Sequence, residues 1–174
     1  MSYSEVFSEP SLIVSIISFF LALCSYRTAK KALNINKQQH DERYLEVDLY
    51  YIEAYKWKNN EEKYVSFALR FTNNSTLSTT IPKIELHIEY HDENNLVGKI
   101  KLKPEGQIAP INLKDYSEVI TIPVNLPDKT AKIGWITFKL PTLQEKQIID
   151  IYQVVAETID NKNISIDTHI INEV

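Results

Sequence analysis

Residues 11–26, SLIVSIISFFLALCSY, form an uncharged run of sixteen residues that ends just before a basic stretch. No charged side chain occurs between Glu9 and Arg27. Core helices of soluble proteins usually keep a polar face that carries charges, whereas a helix that crosses lipid is apolar on nearly every side. The run therefore predicts a membrane-spanning helix, and a buried core helix is the alternative interpretation.

This run is short for a span, because its sixteen residues rise only about 24 Å against a hydrocarbon core of about 30 Å. Its N-terminal flank can extend it, since Pro10 suits the first turn of a helix and Ser8 or Glu9 can cap that turn. A cleavable signal peptide is not expected, because Glu5 and Glu9 precede the run and no Lys or Arg does. We expect the helix to be retained.

A basic collar, Arg27, Lys30, Lys31 and Lys37, follows the run. Cytoplasmic flanks of spans carry an excess of Lys and Arg, so we expect the N-terminus outside and everything after Tyr26 in the cytoplasm. The collar can also contact anionic lipid headgroups, each lysine contributing about 1 kcal/mol near the surface. The chain has one cysteine, which cannot form an intrachain disulfide and so requires no oxidising compartment.

Small residues recur along the run at alternating spacings of four and three positions. They are Ser11, Ser15, Ser18, Ala22, Ser25, Ala29 and Ala32. Such spacing places them on one helix face and lets helices approach closely in lipid. The stripe predicts self-association, with Ser11, Ser15, Ser18, Ala22 and Ser25 as the inter-helix face. In a ring of helices the same hydroxyls can line a narrow wet path, so bundle packing and pore lining are both open interpretations.

Residues 27–43 are rich in helix formers and contain no Pro or Gly. We therefore expect residues 1–43 to form a transmembrane helix with a basic stalk, and residues 44–174 to form a cytoplasmic domain. The first segment has five basic and four acidic side chains, which leaves 14 basic against 19 acidic, a net charge of −5, for the second. Binding to phosphates needs a basic surface, so direct nucleic acid binding is not expected.

From Tyr44 onward the apolar residues alternate with the period of β-strands. The expected strands are YLEVDLYYIEAYKWK, KYVSFALRFT, IPKIELHIEYH, VGKIKLK, a Pro-bounded stretch around Ile108 and Ile111, YSEVITIPVNL, AKIGWITFKL, QIIDIYQVVAETI and NISIDTHII. Turn formers separate several of them, at residues 59–61, 92–95 and 160–162, and NNSTLSTT at 73–80 reads as a loop. Eight or nine strands without a second helix predict a mainly β domain, an immunoglobulin-like antiparallel β-sandwich with Trp135 and Phe138 as core anchors.

The strongest candidate for a metal or catalytic site is His87, Glu89 and His91, which alternate onto one strand face about 6 to 7 Å apart. A zinc site needs a third or fourth ligand, and none is identifiable, so a solvated strand face is the preferred interpretation. The chain also lacks a glycine-rich phosphate loop and a nucleophile elbow. We expect no catalytic residues, no metal and no cofactor.

The pieces ALRFTNNSTLSTTIPKIELHIEY and IGWITFKLP resemble the Asn-rich hairpin and a later strand of immunoglobulin-like domains that follow a single N-terminal span in small bacterial membrane proteins. SIISFFLALCSYRTAKKAL resembles their anchors. In size, topology and Asn/Lys/Ile-rich composition the chain is similar to the small membrane accessory proteins of type VI-B CRISPR loci. This resemblance covers the whole chain, but it is one of layout and includes no short diagnostic motif.

The resemblance implies copies that assemble into a ring in the bacterial inner membrane. The ring would form a pore that assists an RNA-guided effector by weakening the membrane potential during antiphage defence. Some members of the family have been suspected of nuclease activity, but this chain has no Arg followed by four to six residues and a His, which puts that role in doubt here.

Three functional hypotheses follow from the residues and the resemblance together, and the third of them is an enzyme that uses His87, Glu89 and His91. The first is a non-enzymatic, self-associating inner-membrane protein that contacts lipid and its own copies and forms a pore. The second is an anchored binding module, whose sandwich captures a cytoplasmic protein or peptide by an exposed edge strand.

Overall fold

The structure is a computed structural model that describes residues 10–106, 108, 118–141, 148–169 and 171–173. The chain divides into two compact units, Met1–Tyr44 and Leu45–Val174. The predicted capping residues Ser8 and Glu9 lie outside the described residues, as does the side chain of Ser11.

In the described part of the first unit there is a continuous helix, α1, Pro10–Arg43, of 34 residues. Proline at its first position costs no hydrogen bond, because the first backbone N–H groups of a helix have no intrahelical acceptor. At about 1.5 Å per residue α1 is roughly 51 Å long, which exceeds a hydrocarbon core of about 30 Å. Within α1 the segment Leu12–Arg43 includes an 18-residue window of mean hydropathy 1.8, none of it buried inside the protein. The chain therefore has a helix that is long and apolar enough to cross a membrane.

The described part of the second unit is built mainly of β-strands. The strands are β1 Val47–Asn59, β2 Glu62–Asn73, β3 Thr79–Ile81, β4 Lys83–His91, β5 Val97–Leu102, β6 Val124–Leu126, β7 Ala131–Lys139, β8 Ile148–Glu157, β9 Asn163–Thr168 and β10 Asn172–Glu173. The predicted mainly β fold, a sandwich behind an apolar N-terminal helix, is confirmed.

Two four-stranded sheets form the sandwich. Sheet I has the order β10–β1–β2–β7, sheet II has the order β5–β4–β8–β9, and β3 pairs with β6 in a separate two-stranded sheet. Pairing is antiparallel throughout, except that the short β10 runs parallel to β1.

A single hydrophobic core lies between the two sheets. Alternate residues of each strand supply it, as the period of two requires, and Phe67, Leu86, Ile136, Phe138 and Val154 are each no more than 2% exposed. Paired residues lie on the same face of a sheet, so the register fixes which side chains enter the core. The predicted face of β2, with Val65, Phe67, Leu69 and Phe71, is part of this core.

Three details differ from the sequence-based expectations. The predicted loop NNSTLSTT ends two residues early, because Thr79 and Thr80 belong to β3 and pair with β6. Only Val124–Leu126 of YSEVITIPVNL forms a strand among its described residues. Trp135 is buried as predicted, but it lies on the face of β7 opposite Ile136 and Phe138 and contributes nothing to the core between the sheets.

The β1–β2 hairpin turns on Asn60 and Glu61, which have φ angles of 48° and 70°. Asn59 pairs with Glu62, so these two residues form a two-residue loop with positive φ at both positions, the turn that matches strand twist. Asn tolerates this left-handed conformation better than most residues do. The predicted turn at 59–61 is therefore present.

Replacement of Gly134 by Ala should destabilise the sandwich. A Cβ at Gly134 would lie 2.5 Å from the backbone oxygen of Glu118 and 2.7 Å from Ile120 Cγ1. That oxygen accepts a hydrogen bond from the Trp135 N–H at 2.8 Å, so the backbone cannot withdraw without losing the bond. We expect Gly134→Ala to lower the free energy of unfolding by about 1–3 kcal/mol, measured by urea unfolding of the full chain in detergent with tryptophan fluorescence.

Gly106→Ala is the matched control, because a Cβ at Gly106 meets nothing within 4 Å. It should change the unfolding midpoint little. Equal midpoints for the two alanine variants would contradict the close approach of β7 to the segment around Glu118.

Candidate functional site

The small-residue stripe lies on one side of α1. At about 100° per residue, Ser15, Ser18, Ala22 and Ser25 occupy an arc of about 80° on an unbroken helix. All four side chains are exposed, and the fifth predicted member, Ser11, has no described side chain. The structure therefore brings four of the five predicted residues onto one accessible face.

The rest of the helix surface is strongly apolar and equally uncovered. Val14, Phe19, Phe20 and Leu21 are each 60–63% exposed. Apolar surface of this extent is unfavourable in water, at about 25 cal/mol per Å². The helix therefore requires lipid, other helices or both around it.

The predicted basic collar follows the stripe along the same helix. Arg27, Lys30, Lys31 and Lys37 are all exposed and spread over about a third of the circumference at about 100° per residue. Within the collar, the Thr28 hydroxyl donates to the Cys24 carbonyl at 2.9 Å, which satisfies this polar group within the helix. The collar begins at Arg27, directly after the uncharged run of residues 11–26.

The outer face of sheet II carries His87, Glu89 and His91, as the alternation predicted. Each has a different partner. His87 Nε2 lies 3.3 Å from a carboxylate oxygen of Glu85, and Glu89 pairs with Lys99. Among the described residues no group of three or more His, Cys, Asp or Glu is placed to hold a metal ion, so the three do not converge on one point.

His91 belongs to a cluster that the sequence did not indicate. Its Nδ1 donates to Asp150 Oδ2 at 2.8 Å, and His169 Nδ1 donates to the Asp150 backbone oxygen at 2.9 Å. Glu89 pairs with Ile151 and Tyr90 with Ile149, which leaves Asp150 as the extra residue of a β-bulge. The bulge places Asp150 beside His91, and simple alternation contains no signal for it.

Glu85 is a carboxylate on this face that accepts hydrogen bonds from two side chains. Burial raises its pKa, but hydrogen bonds from Lys83, at 3.1 Å, and from His87 outweigh that effect, so the pKa of Glu85 lies below its ordinary range. Its side chain is 16% exposed. The face is therefore a set of ion pairs rather than a group of free ligands.

No family model matches the sequence, and no curated protein matches it. Among solved structures the chain is similar to Spo0M, a sporulation control protein from Bacillus subtilis, with 12% identity and a TM-score of 0.40 over 74% of this chain. It spans about half, 49%, of Spo0M. The archaeal flagellum of Methanospirillum hungatei strain JF1 gives 8% identity and a TM-score of 0.38, over 97% of this chain and 92% of the flagellar chain. At these values neither likeness assigns a family or a function.

Acid should weaken the sandwich partly through Glu85. A carboxylate with a lowered folded-state pKa stabilises the folded state above its unfolded pKa of about 4.3, and that contribution disappears as pH falls through the folded pKa. We expect Glu85→Gln to lose less stability than the wild type between about pH 6 and pH 3, as measured by urea unfolding at each pH.

Glu61→Gln, at an exposed turn position, is the matched control and should follow the wild-type pH dependence. If Glu85→Gln and the wild type lose stability in parallel as the pH falls, the paired state of Glu85 contributes nothing to folding.

Proposed function

We propose that this protein is a non-enzymatic, single-span protein of the bacterial inner membrane that self-associates through the small-residue stripe of α1 and forms a pore. One observation carries the proposal: a helix of 34 residues whose most hydrophobic window of 18 residues has no part buried in its own chain. Such a helix needs partners outside the chain.

Lipid surrounds the large apolar residues favourably, whereas small residues and serines favour contact with another helix. In a bilayer, helix association depends on close packing and on hydrogen bonds between side chains, because lipid is as apolar as leucine. Ser15, Ser18 and Ser25 contribute hydroxyls along the same face as Ala22. A second copy that presents the same face lets the two backbones approach closely and lets hydroxyls form hydrogen bonds between the helices.

More than two copies give this face a further role. If the stripes of several helices point toward one axis, their hydroxyls line a narrow polar path through the membrane. A path of that kind weakens the membrane potential, which agrees with the accessory role in RNA-guided antiphage defence suggested by the resemblance in layout. The proposal has the N-terminus outside and the sandwich in the cytoplasm, on the basis of the collar and the positive-inside rule.

A second candidate function is a membrane-anchored binding module. In the described part of sheet II, β5 and β9 are the edge strands, and Leu96 and Val97 at the start of β5 are 67% and 65% exposed. An exposed edge strand can pair with an extended peptide from a partner. Under this alternative α1 serves only as a tether, and the detergent-solubilised protein is a monomer or a dimer.

Ser18→Leu should disrupt assembly and leave membrane insertion intact. Leucine increases hydropathy, so the span is retained, but its bulk separates helices that approach at a small residue. We expect the wild type to give one discrete protein mass of six or more copies, and Ser18→Leu to give a smaller mass. Light scattering with the detergent contribution subtracted measures both.

Ile16→Phe is the matched control, because residue 16 lies about 160° around the helix from residue 18. It enlarges a lipid-facing side chain and should leave the assembly unchanged. A wild-type monomer or dimer would exclude the pore and favour the tethered binding module. An unchanged mass for Ser18→Leu would rule out the stripe as the interface.

A further inference from the structure

A cavity of about 590 Å³ opens at one end of the sandwich, where the hydrophobic core stops. Its lining includes Lys56, Lys58 and Lys63 from sheet I and Tyr152 and Ile149 from sheet II. Lys56 pairs with Val65, a core residue, and Lys58 pairs with Lys63. The alternation that sends apolar residues into the core therefore continues into this cavity with lysines.

The three lysines give the cavity a positive charge. Within the described part of the chain none of them forms an ion pair, although Glu173 lies on the cavity wall. Lys56 Nζ lies 5.1 Å from the centroid of the Tyr152 ring, a cation–π contact that holds this ammonium group between the sheets. Like charges on neighbouring strands repel each other, so an anion between them relieves the repulsion.

Tyr152 supplies a second, independent observation. Its side chain is only 2% exposed, and its hydroxyl has no hydrogen-bond partner among the described residues. Burial raises the pKa of Tyr152 to about 12, so the hydroxyl is protonated at physiological pH and acts as a donor. A buried donor without an acceptor is destabilising. The Tyr152 hydroxyl therefore lacks an acceptor in a cavity whose wall carries three lysines and one carboxylate, Glu173.

We propose that this cavity binds a small organic anion, about the size of a nucleotide, whose phosphate or carboxylate contacts Lys56, Lys58 and Lys63 and provides the acceptor that Tyr152 lacks. Cavities of about 300–1,000 Å³ suit ligands of that size. Leu140 and Ile149 provide apolar contacts for the body of the ligand. This site is independent of the stripe on α1 and goes beyond the proposed function.

Isothermal titration of the full chain in a non-ionic detergent tests the site. AMP probes for an organic phosphate, and N-acetyl-tryptophan probes for a carboxylate on an aromatic body. Adenosine has the body of AMP without its charge. We expect AMP or N-acetyl-tryptophan to bind saturably with a Kd below about 1 mM, and adenosine to bind at least about tenfold more weakly than AMP. Binding of one anion but not the other assigns the phosphate or the carboxylate.

Two variants connect binding to the named side chains. Lys58→Gln combined with Lys63→Gln removes two exposed charges and should weaken binding by at least about tenfold. Lys103→Gln removes an exposed lysine that does not line the cavity, so it should leave binding unchanged.

Tyr152→Phe keeps the ring under Lys56 but removes the hydroxyl. It should weaken binding severalfold and raise the melting temperature of the unliganded protein, because the unpaired donor is gone.

Three results would each overturn the proposal. They are the absence of saturable binding by either anion up to about 1 mM, equal binding of adenosine and AMP, and full affinity in the double lysine variant. The melting temperature of Tyr152→Phe separates a binding role from a structural one, since a hydroxyl that merely stabilises the fold would lower the temperature when removed.

Discussion

The apolar surface of α1 is the constraint on which the organisation of this protein depends. Phe19 and Phe20 stay more than half exposed, and no described residue of the chain covers the most hydrophobic window. Water disfavours that surface, whereas a bilayer tolerates it and additionally forbids unpaired backbone groups, a condition that a continuous helix satisfies.

The sandwich is subject to a different constraint, the burial of polar groups. Its strand β2 is buried on both faces over six consecutive residues, from Tyr64 to Leu69. The inner face is apolar, but the outer face includes Ser66, and a buried hydroxyl needs hydrogen bonds. Ser66 Oγ lies 2.8 Å from Thr137 Oγ1 and accepts a hydrogen bond from Trp57 Nε1 at 2.9 Å. Three strands of sheet I are thereby linked by side chains as well as by their backbones.

A buried asparagine connects β2 to the loop that precedes β7. Asn73 is 1% exposed, and its side-chain N–H₂ donates to the carbonyls of Leu77, Leu126 and Pro127 at 2.8–3.2 Å. Its Oδ1 accepts from the Ser75 N–H at 3.0 Å. These bonds satisfy backbone groups that would otherwise be buried without partners, and they explain why an Asn-rich segment is ordered at the end of a strand.

The sequence by itself determined the helix, the domain's β class and most of the strands, because each depends on residues that are neighbours in the chain. An uncharged run of sixteen residues specifies an apolar helix, and alternation in IELHIEY specifies a half-buried strand. The faces of β2 and β4 and the turn at Asn60 follow from the same local rules. The stripe on α1 is also a local property, since helical periodicity alone aligns Ser15, Ser18, Ala22 and Ser25.

Only the tertiary structure decided which distant residues meet, because pairing register and bulges join residues that are far apart in sequence. The bulge at Asp150 brings that residue to His91, and pairing with β6 places Thr79 and Thr80, which look like loop residues in the sequence, in a strand. The position of Trp135 on the outer face of sheet I likewise depends on the register of β7. Lys56 and Tyr152 are 96 positions apart in the sequence, and they meet because two sheets, each correctly paired, face each other across one core.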